Sequence, residues 1–106
     1  MKKVECIIRS EKLKDLTSAL KKINIGGMTV SEVRGFGKQK ERPDNLLFVH
    51  KTKLEIYATD AQVKKVICTI LMHCSAGGVG DGKIAVLPLD DCVRMRTGER
   101  KNKAIL

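Results

Sequence analysis

Two aliphatic stripes at helical spacing, each set between segments that alternate, constrain this chain more than any other feature. Leu13, Leu16, Leu20 and Ile23 recur at intervals of three and four, which places them on one side of a helix over residues 11–23 and leaves Lys12, Lys14, Lys21 and Lys22 elsewhere on its surface. Ser10 stands where an N-cap belongs, and the pair Gly26, Gly27 is expected to stop the helix. The second stripe, Val63, Val66, Ile67, Ile70 and Leu71, predicts a helix over 61–73 capped by Thr59 or Asp60. Strands are expected on either side of each helix. Over 2–9, Val4, Cys6 and Ile8 alternate with Lys3, Glu5 and Ile7, and further strands fall at 28–37, 51–58 and 83–87, with Pro88 ending the last. "KQKERPDN", with Pro43 and Asp44, reads as a loop between the halves. The order β-α-β, loop, β-α-β describes an α+β, ferredoxin-like β-α-β-β-α-β sandwich, an antiparallel sheet with two helices on one face.

A chain of 106 residues is expected to form one domain. Aromatic residues are 3% of it and Trp is missing, so the core must be aliphatic and stacking on bases is not the expected mode of recognition. No run of about 18 apolar residues occurs, and "MKKVECIIRS" breaks into charges before an apolar leader core of about 7 residues can form. A cytoplasmic chain with no membrane insertion is the expectation. Cys6, Cys68, Cys74 and Cys92 form no C-x-x-C pair and read as reduced core thiols. A formal charge of +9 calls for an anionic partner without naming it. The tail 94–106 sets Arg94, Arg96, Arg100, Lys101 and Lys103 against Glu99 and has no visible core, so it is expected to pack on a neighbour or stay mobile.

"GGVGDGKI", residues 77–84, is one residue short of the Walker A pattern: Gly77, Gly82 and Lys83 obey it, but Ile84 replaces the hydroxyl that would hold Mg²⁺. The loop also follows a helix and enters a strand, the reverse of a P-loop. A helix cap at Gly77 or Gly78 explains one or two glycines. Gly80, Gly82 and Lys83 at the mouth of a strand fit an anion nest with an added point charge, in which Asp81 orients the turn or meets the lysines.

Three segments in order resemble the PII family of nitrogen-signalling proteins. "MTVSEVRGFGKQK" (28–40) is similar to the family's second strand and the root of its T-loop, "GDGKI" (80–84) to its B-loop, and "VRMRTGER" (93–100) to its C-terminal loop; "MKKVECIIR" and the helix with Leu13 match in pattern. The resemblance covers nearly the whole chain except 41–50. It places the T-loop at about 38–51, the B-loop at about 77–83, and the C-terminal loop and tail at about 90–106. It implies a homotrimer with ATP or ADP between neighbouring subunits. Gly35, Gly37, Lys38 and Gln39 then come from the T-loop base, Thr29 and Glu55 lie near the adenine or ribose, and Gly80, Asp81, Gly82 and Lys83 wrap the phosphates. Arg94 and Arg96 enter from the adjoining subunit. Such a protein is not an enzyme; it senses nucleotide and controls a target enzyme or transporter through its T-loop.

The resemblance also implies 2-oxoglutarate as a ligand, held through Mg²⁺, with Gln39 and Lys51 at the positions that serve it and Gln39 reaching the metal. The stretch "ERPDNLLFVH" is shorter than the family pattern by about seven residues, and it has no Tyr between Lys40 and Lys51 for uridylylation. A specialised relative sensing another small anion, such as bicarbonate, for a microcompartment or transporter is the alternative. A rival of another class is an RRM-like RNA-binding domain, since "RGFG" at 34–37 starts like RNP1; the "KQKE" that follows departs from it. Cys68, His73 and Cys74 lack the i, i+4 spacing of a helical metal site, and His50 reads as a solvated loop histidine.

Overall fold

The computed structural model describes residues 1–37 and 48–106. Strand β1 (Lys2–Ile8) leads through a 3₁₀ turn (Ser10–Lys12) into α1 (Leu13–Lys22). Strands β2 (Thr29–Gly35) and β3 (Val49–Ala58), helix α2 (Asp60–Cys74), β4 (Lys83–Pro88) and the single turn α3 (Asn102–Ile105) follow. The four strands form one antiparallel sheet in the order β2-β3-β1-β4. This is the expected ferredoxin-like sandwich.

Alternation divides the sheet into two faces. Val4, Cys6 and Ile8 of β1 and Leu54, Ile56 and Ala58 of β3 are buried together with Leu16 and Leu20 of α1 and Val66 and Ile70 of α2. Each fully buried Leu or Ile there stabilises the fold by roughly 1.5–3 kcal/mol. The opposite face, with Lys3, Glu5 and Ile7 of β1 and Lys53, Glu55 and Tyr57 of β3, is turned away from the core helices α1 and α2. Both outer strands, β2 and β4, are largely exposed.

Several local expectations need correction. Ser10 does not cap α1; its hydroxyl accepts from the Thr52 hydroxyl at 2.9 Å, and a 3₁₀ turn precedes the helix instead. The helix stops before the glycines, at Asn24, whose φ of 58° takes the left-handed conformation that Asn tolerates. Thr59 is the cap of α2, its N–H donating to Gln62 Oε1 at 2.9 Å in a capping box. The apolar stripe of α2 runs through Val66, Ile70 and Cys74, and Leu71, one step round the helix, is 51% exposed. Cys6 and Cys74 are core thiols, but Cys68 is exposed and Cys92 half-buried. His50 lies within β3 rather than in the loop before it, and the strand starts at Val49, two residues ahead of the expected Lys51.

The tail is ordered on its own chain. Val93 bridges Arg100, the Lys101 N–H donates to the Cys92 carbonyl at 3.0 Å, and Ile105 is buried. Arg94 and Arg96 are not on one extended segment, because the Gly98 N–H donates back to the Arg94 carbonyl at 2.7 Å and closes a turn.

Candidate functional site

The end of the sheet where β1 finishes and β4 begins holds the glycine loop. Asp81 builds it: one carboxylate oxygen, Oδ2, accepts the N–H groups of Ala76 at 2.8 Å, Gly77 at 2.9 Å and Gly78 at 3.3 Å. These three amides, Ala76 first, hold the Asp81 carboxyl below its ordinary range, with the Arg9 guanidinium adding to them. Arg9 Nε stands 3.6 Å from Oδ1, and Arg9 Nη2 donates to the Val79 carbonyl at 3.0 Å. Lys51 Nζ donates to the Gly80 carbonyl at 2.7 Å. The nest of amides is therefore filled by the chain's own carboxylate. Gly82 and Lys83, next to it, are exposed.

Glycine is required here by geometry. Gly77, Gly80 and Gly82 have φ of 85°, 100° and 103°, and a Cβ on residue 82 would collide with the Ile7 carbonyl. None of the three caps α2, which ends at Ser75 in an extended conformation. The loop leaves a helix and enters a strand, so a P-loop is ruled out by its surroundings as well as by Ile84. Beneath it, between α2 and the mouth of β4, lies a recess of about 360 Å³. Gly35 closes β2 at this same end, opposite Val49, and Gly37 lies just beyond; Lys38 and Gln39 lie outside the described residues.

A second cluster occupies the β2 side of the sheet. Thr29 is the cross-strand partner of Glu55, and both line a recess of about 240 Å³ with Gly26, Met28, Tyr57 and Ile105. Glu55 belongs to a ring of alternating charge on the open face. Lys3 reaches it at 2.9 Å and Lys53 at 3.6 Å, and both lysines reach Glu5, at 3.4 and 3.3 Å. The Lys3 hydrogen bond is the main cause that holds the Glu55 carboxyl below its ordinary range. Arg94 is half-buried, with Nη1 on Glu99 at 2.8 Å and Nη2 donating to the Leu106 carbonyl at 2.6 Å; Arg96 is exposed.

The predicted residues thus fall into two groups. Gly35, Lys51, Gly80, Asp81, Gly82 and Lys83 gather at one end, while Thr29 and Glu55 sit at mid-sheet toward the β2 edge, level with Glu5 and Ala85, and Arg94 follows the far end of β4. Strand β4 alone, six residues long, separates Lys83 from the segment carrying the arginines by roughly 17 Å. Sequence reasoning missed Arg9, Lys3, Lys53 and the seat of Ile105. The lysines had a signal in the alternation of Lys3 with Glu5 and Lys53 with Glu55, but Arg9 and Ile105 act across 70 and 79 residues of chain respectively, beyond the reach of a local pattern.

Among the described residues, no group of three or more His, Cys, Asp or Glu side chains is placed to hold a metal, and no helix is long and apolar enough to cross a membrane. The "RGFG" segment falls at the end of an outer strand, and the open face presents ion pairs where an RNA-recognition sheet presents stacking aromatics, so the RRM reading fails on geometry.

The family model for nitrogen regulatory protein P-II matches residues 1–99. The chain is 45% identical to the nitrogen regulatory protein P-II of Microchaete diplosiphon over 112 aligned positions, covering 99% of this chain and 100% of that one. It is 48% identical to the P-II homolog of Arabidopsis thaliana, covering 96% of this chain and 56% of the relative. The crystal structure of Arabidopsis thaliana PII bound to citrate superimposes with a TM-score of 0.83 at 48% identity, over 98% of this chain and 88% of that one. An alignment of 112 positions against 106 residues leaves positions with no counterpart here, as a shortened loop does. On fold, full-length identity and family match together, the chain belongs to the P-II family of nitrogen regulatory signalling proteins.

Proposed function

We propose that this chain is an adenine-nucleotide sensor that works as a homotrimer, holding ATP or ADP between neighbouring subunits and controlling a target enzyme or transporter through residues 38–51. The observation that carries this reading is the separation of the two clusters. Gly80–Lys83 adjoin β4 and Thr29 lies on β2, opposite edges of one sheet with β1 and β3 between them, and Arg94 follows the far end of β4, so one chain does not bring both groups to a single ligand. A second copy can.

One subunit then supplies Gly35, Gly37, Lys38, Gln39 and the loop at Gly80, Asp81, Gly82 and Lys83. Its neighbour supplies Thr29 and Glu55 for the base and ribose and Arg94 and Arg96 for the phosphates. Lys83 and the two arginines offset the triphosphate charge through charge-assisted hydrogen bonds. Asp81 acts from behind, by shaping the loop. The uncovered sheet face supports assembly: its charges are already paired in the Lys3–Glu5–Lys53–Glu55 ring, which lowers the cost of covering them, and Tyr57 and Leu87 are exposed beside it.

A carboxylate co-ligand belongs to this reading. Citrate in the Arabidopsis structure is a polycarboxylate, the chemical class of 2-oxoglutarate. Gln39 and Lys51 are the residues assigned to it, with Mg²⁺ carried on the nucleotide. Lys51 would have to leave the Gly80 carbonyl to serve it, which favours a ligand that arrives after the nucleotide. Bicarbonate is the second anion to test.

The test is calorimetric titration with ATP, ADP and AMP, alone and with Mg²⁺ plus 2-oxoglutarate or bicarbonate. A Lys83→Ala, Arg96→Ala double variant is the control. Saturable binding near one site per chain, lost in the variant, is expected. Absence of heat together with an unchanged melting temperature would defeat the proposal, since a ligand at 100 times its Kd stabilises by about 2.7 kcal/mol.

A further inference from the structure

One cation of the glycine loop comes from the other end of the chain. Arg9, the residue after β1, reaches across 70 residues of sequence: its Nη2 donates to the Val79 carbonyl at 3.0 Å, and its Nε stands 3.6 Å from Asp81 Oδ1. The two carboxylate oxygens of Asp81 differ in their partners. Oδ2 takes the amides of Ala76, Gly77 and Gly78, whereas Oδ1 is buried and accepts no hydrogen bond among the described residues. Arg9 is the cation that offsets it. Lys51 Nζ holds the next carbonyl, that of Gly80, at 2.7 Å, so two successive carbonyls are each drawn to a cation.

Fixing a carbonyl fixes the amide behind it. The peptide between Val79 and Gly80 is trans, so its N–H, on Gly80, points away from the carbonyl that Arg9 holds. That N–H has no hydrogen-bond partner among the described residues, which leaves it to an outside acceptor. The φ of 100° at Gly80 lets the next peptide turn its own carbonyl to Lys51. Asp81 stands two residues before Lys83, where its charge opposes an incoming phosphate unless it is balanced. Arg9 supplies that balance. A guanidinium suits the position because a carbonyl and a carboxylate are met by two nitrogens in a fixed fork, and a lysine carries only one.

We propose that Arg9 is the positioning residue of the glycine loop: it turns the Gly80 N–H outward to a bound phosphate and offsets the Asp81 charge beside it, without touching the phosphate itself. This rests on the nucleotide reading above and adds to it a residue from outside the loops that carry that reading. It also separates two holds on the loop. Lys51 would leave Gly80 to serve a carboxylate co-ligand, and Arg9 keeps the loop in shape while it does.

The test combines calorimetric titration with ATP and the backbone amide resonance of Gly80 in the ligand-free protein. It compares the wild type, Arg9→Met, Arg9→Lys, Asp81→Asn and the Arg9→Met, Asp81→Asn pair. Arg9→Met is expected to weaken ATP at least about tenfold, the scale of a lost charged hydrogen bond, and to move the Gly80 resonance before any ligand is added. Arg9→Lys keeps the charge and one nitrogen, so it should recover most of the affinity, to within about threefold of the wild type. In the Asp81→Asn background the loss of Arg9 should cost only about threefold, since residues that share a contact do not add independently. If Arg9→Met fails to assemble, Arg9→Lys carries the test, with the Gly80 resonance displaced and ATP weakened by about threefold. A full loss of affinity with the Gly80 resonance unmoved, repeated unchanged in Asp81→Asn, would make Arg9 a direct phosphate ligand and overturns the proposal. Unchanged ATP binding in an assembled Arg9→Met also overturns it and leaves nucleotide binding standing. If the wild type binds no nucleotide, the underlying reading falls and this inference with it.

Discussion

Asp81 holds the backbone of Ala76: the side-chain oxygen Oδ2 accepts that N–H at 2.8 Å and then takes the next two amides as well. The loop is thus shaped by a charge of its own before any ligand arrives. In Asp81→Ala the three amides lose their acceptor. Hydrogen exchange at residues 76–78 is expected to accelerate by at least tenfold or so, with core strands β1 and β3 unaffected. Unchanged exchange there would show that the turn stands without the carboxylate.

The same contact predicts a pH dependence. The folded Asp81 carboxyl titrates below its ordinary range because it accepts these amides. Its contribution is therefore complete above the unfolded value of about 3.9 and is lost as pH falls through the lower folded value. The amide resonances of Ala76, Gly77 and Gly78 should hold steady from pH 7 to about 4 and move together only below it. In Asp81→Asn that concerted step should be absent.

Two glycines of the loop differ in what they tolerate. Gly82 combines a φ of 103° with a backbone oxygen where its Cβ would be, whereas Gly77, at φ 85°, has open space around it. Chemical denaturation should show Gly77→Ala costing about 1 kcal/mol, the strain of a left-handed residue. Gly82→Ala should cost at least about 2 kcal/mol, since the chain must also move off Ile7. Equal losses would mean that the approach to Ile7 relaxes freely.

The cysteines are separable by reactivity. Burial pushes the Cys6 thiol up to about 11 and raises Cys74, while Cys68 is exposed on α2. A thiol reagent at pH 8 should modify Cys68 first and the half-buried Cys92 more slowly, leaving Cys6 and Cys74 until denaturant is added. Fast modification of all four would contradict the packing of β1 against α2.

Complementation tests the division of the site between chains. Lys83→Ala and Arg96→Ala disable different halves. Each variant alone should bind ATP at least about tenfold more weakly, on the scale of a lost charged hydrogen bond. Mixed assemblies of the two, formed by refolding together, should regain intact sites because a normal loop can meet a normal arginine. Failure to regain any, with mixed assembly verified by mass, would place both residues on one side of the cleft.

The course of the chain was largely legible where repetition carried it. Leu13, Leu16, Leu20 and Ile23 announce α1, and the alternation around Val4, Cys6 and Ile8 announces β1, because helix and strand periods are local properties. Leu71 was misread since it borders Ile70 on the helix, and 100° of rotation decides between core and solvent. The end of α1 was hidden because Asn24 stops it by adopting a positive φ ahead of the more conspicuous glycines. Residues Gly80, Lys83 and Arg94 stood out by type and motif, but their separation across the sheet did not, for it depends on strand order. The seat of Ile105 on Gly26 joins positions that share no pattern at all.

Placing the glycine loop at one end of β4 and the arginines beyond the other has a thermodynamic consequence. A ligand that needs both must bind to the assembled form, so mass action ties occupancy to protein concentration. Diluting the protein should weaken its apparent affinity for nucleotide, and nucleotide should in turn resist dissociation on dilution. On the proposed division of the site, occupancy would report the ligand only above a threshold of the protein's own abundance.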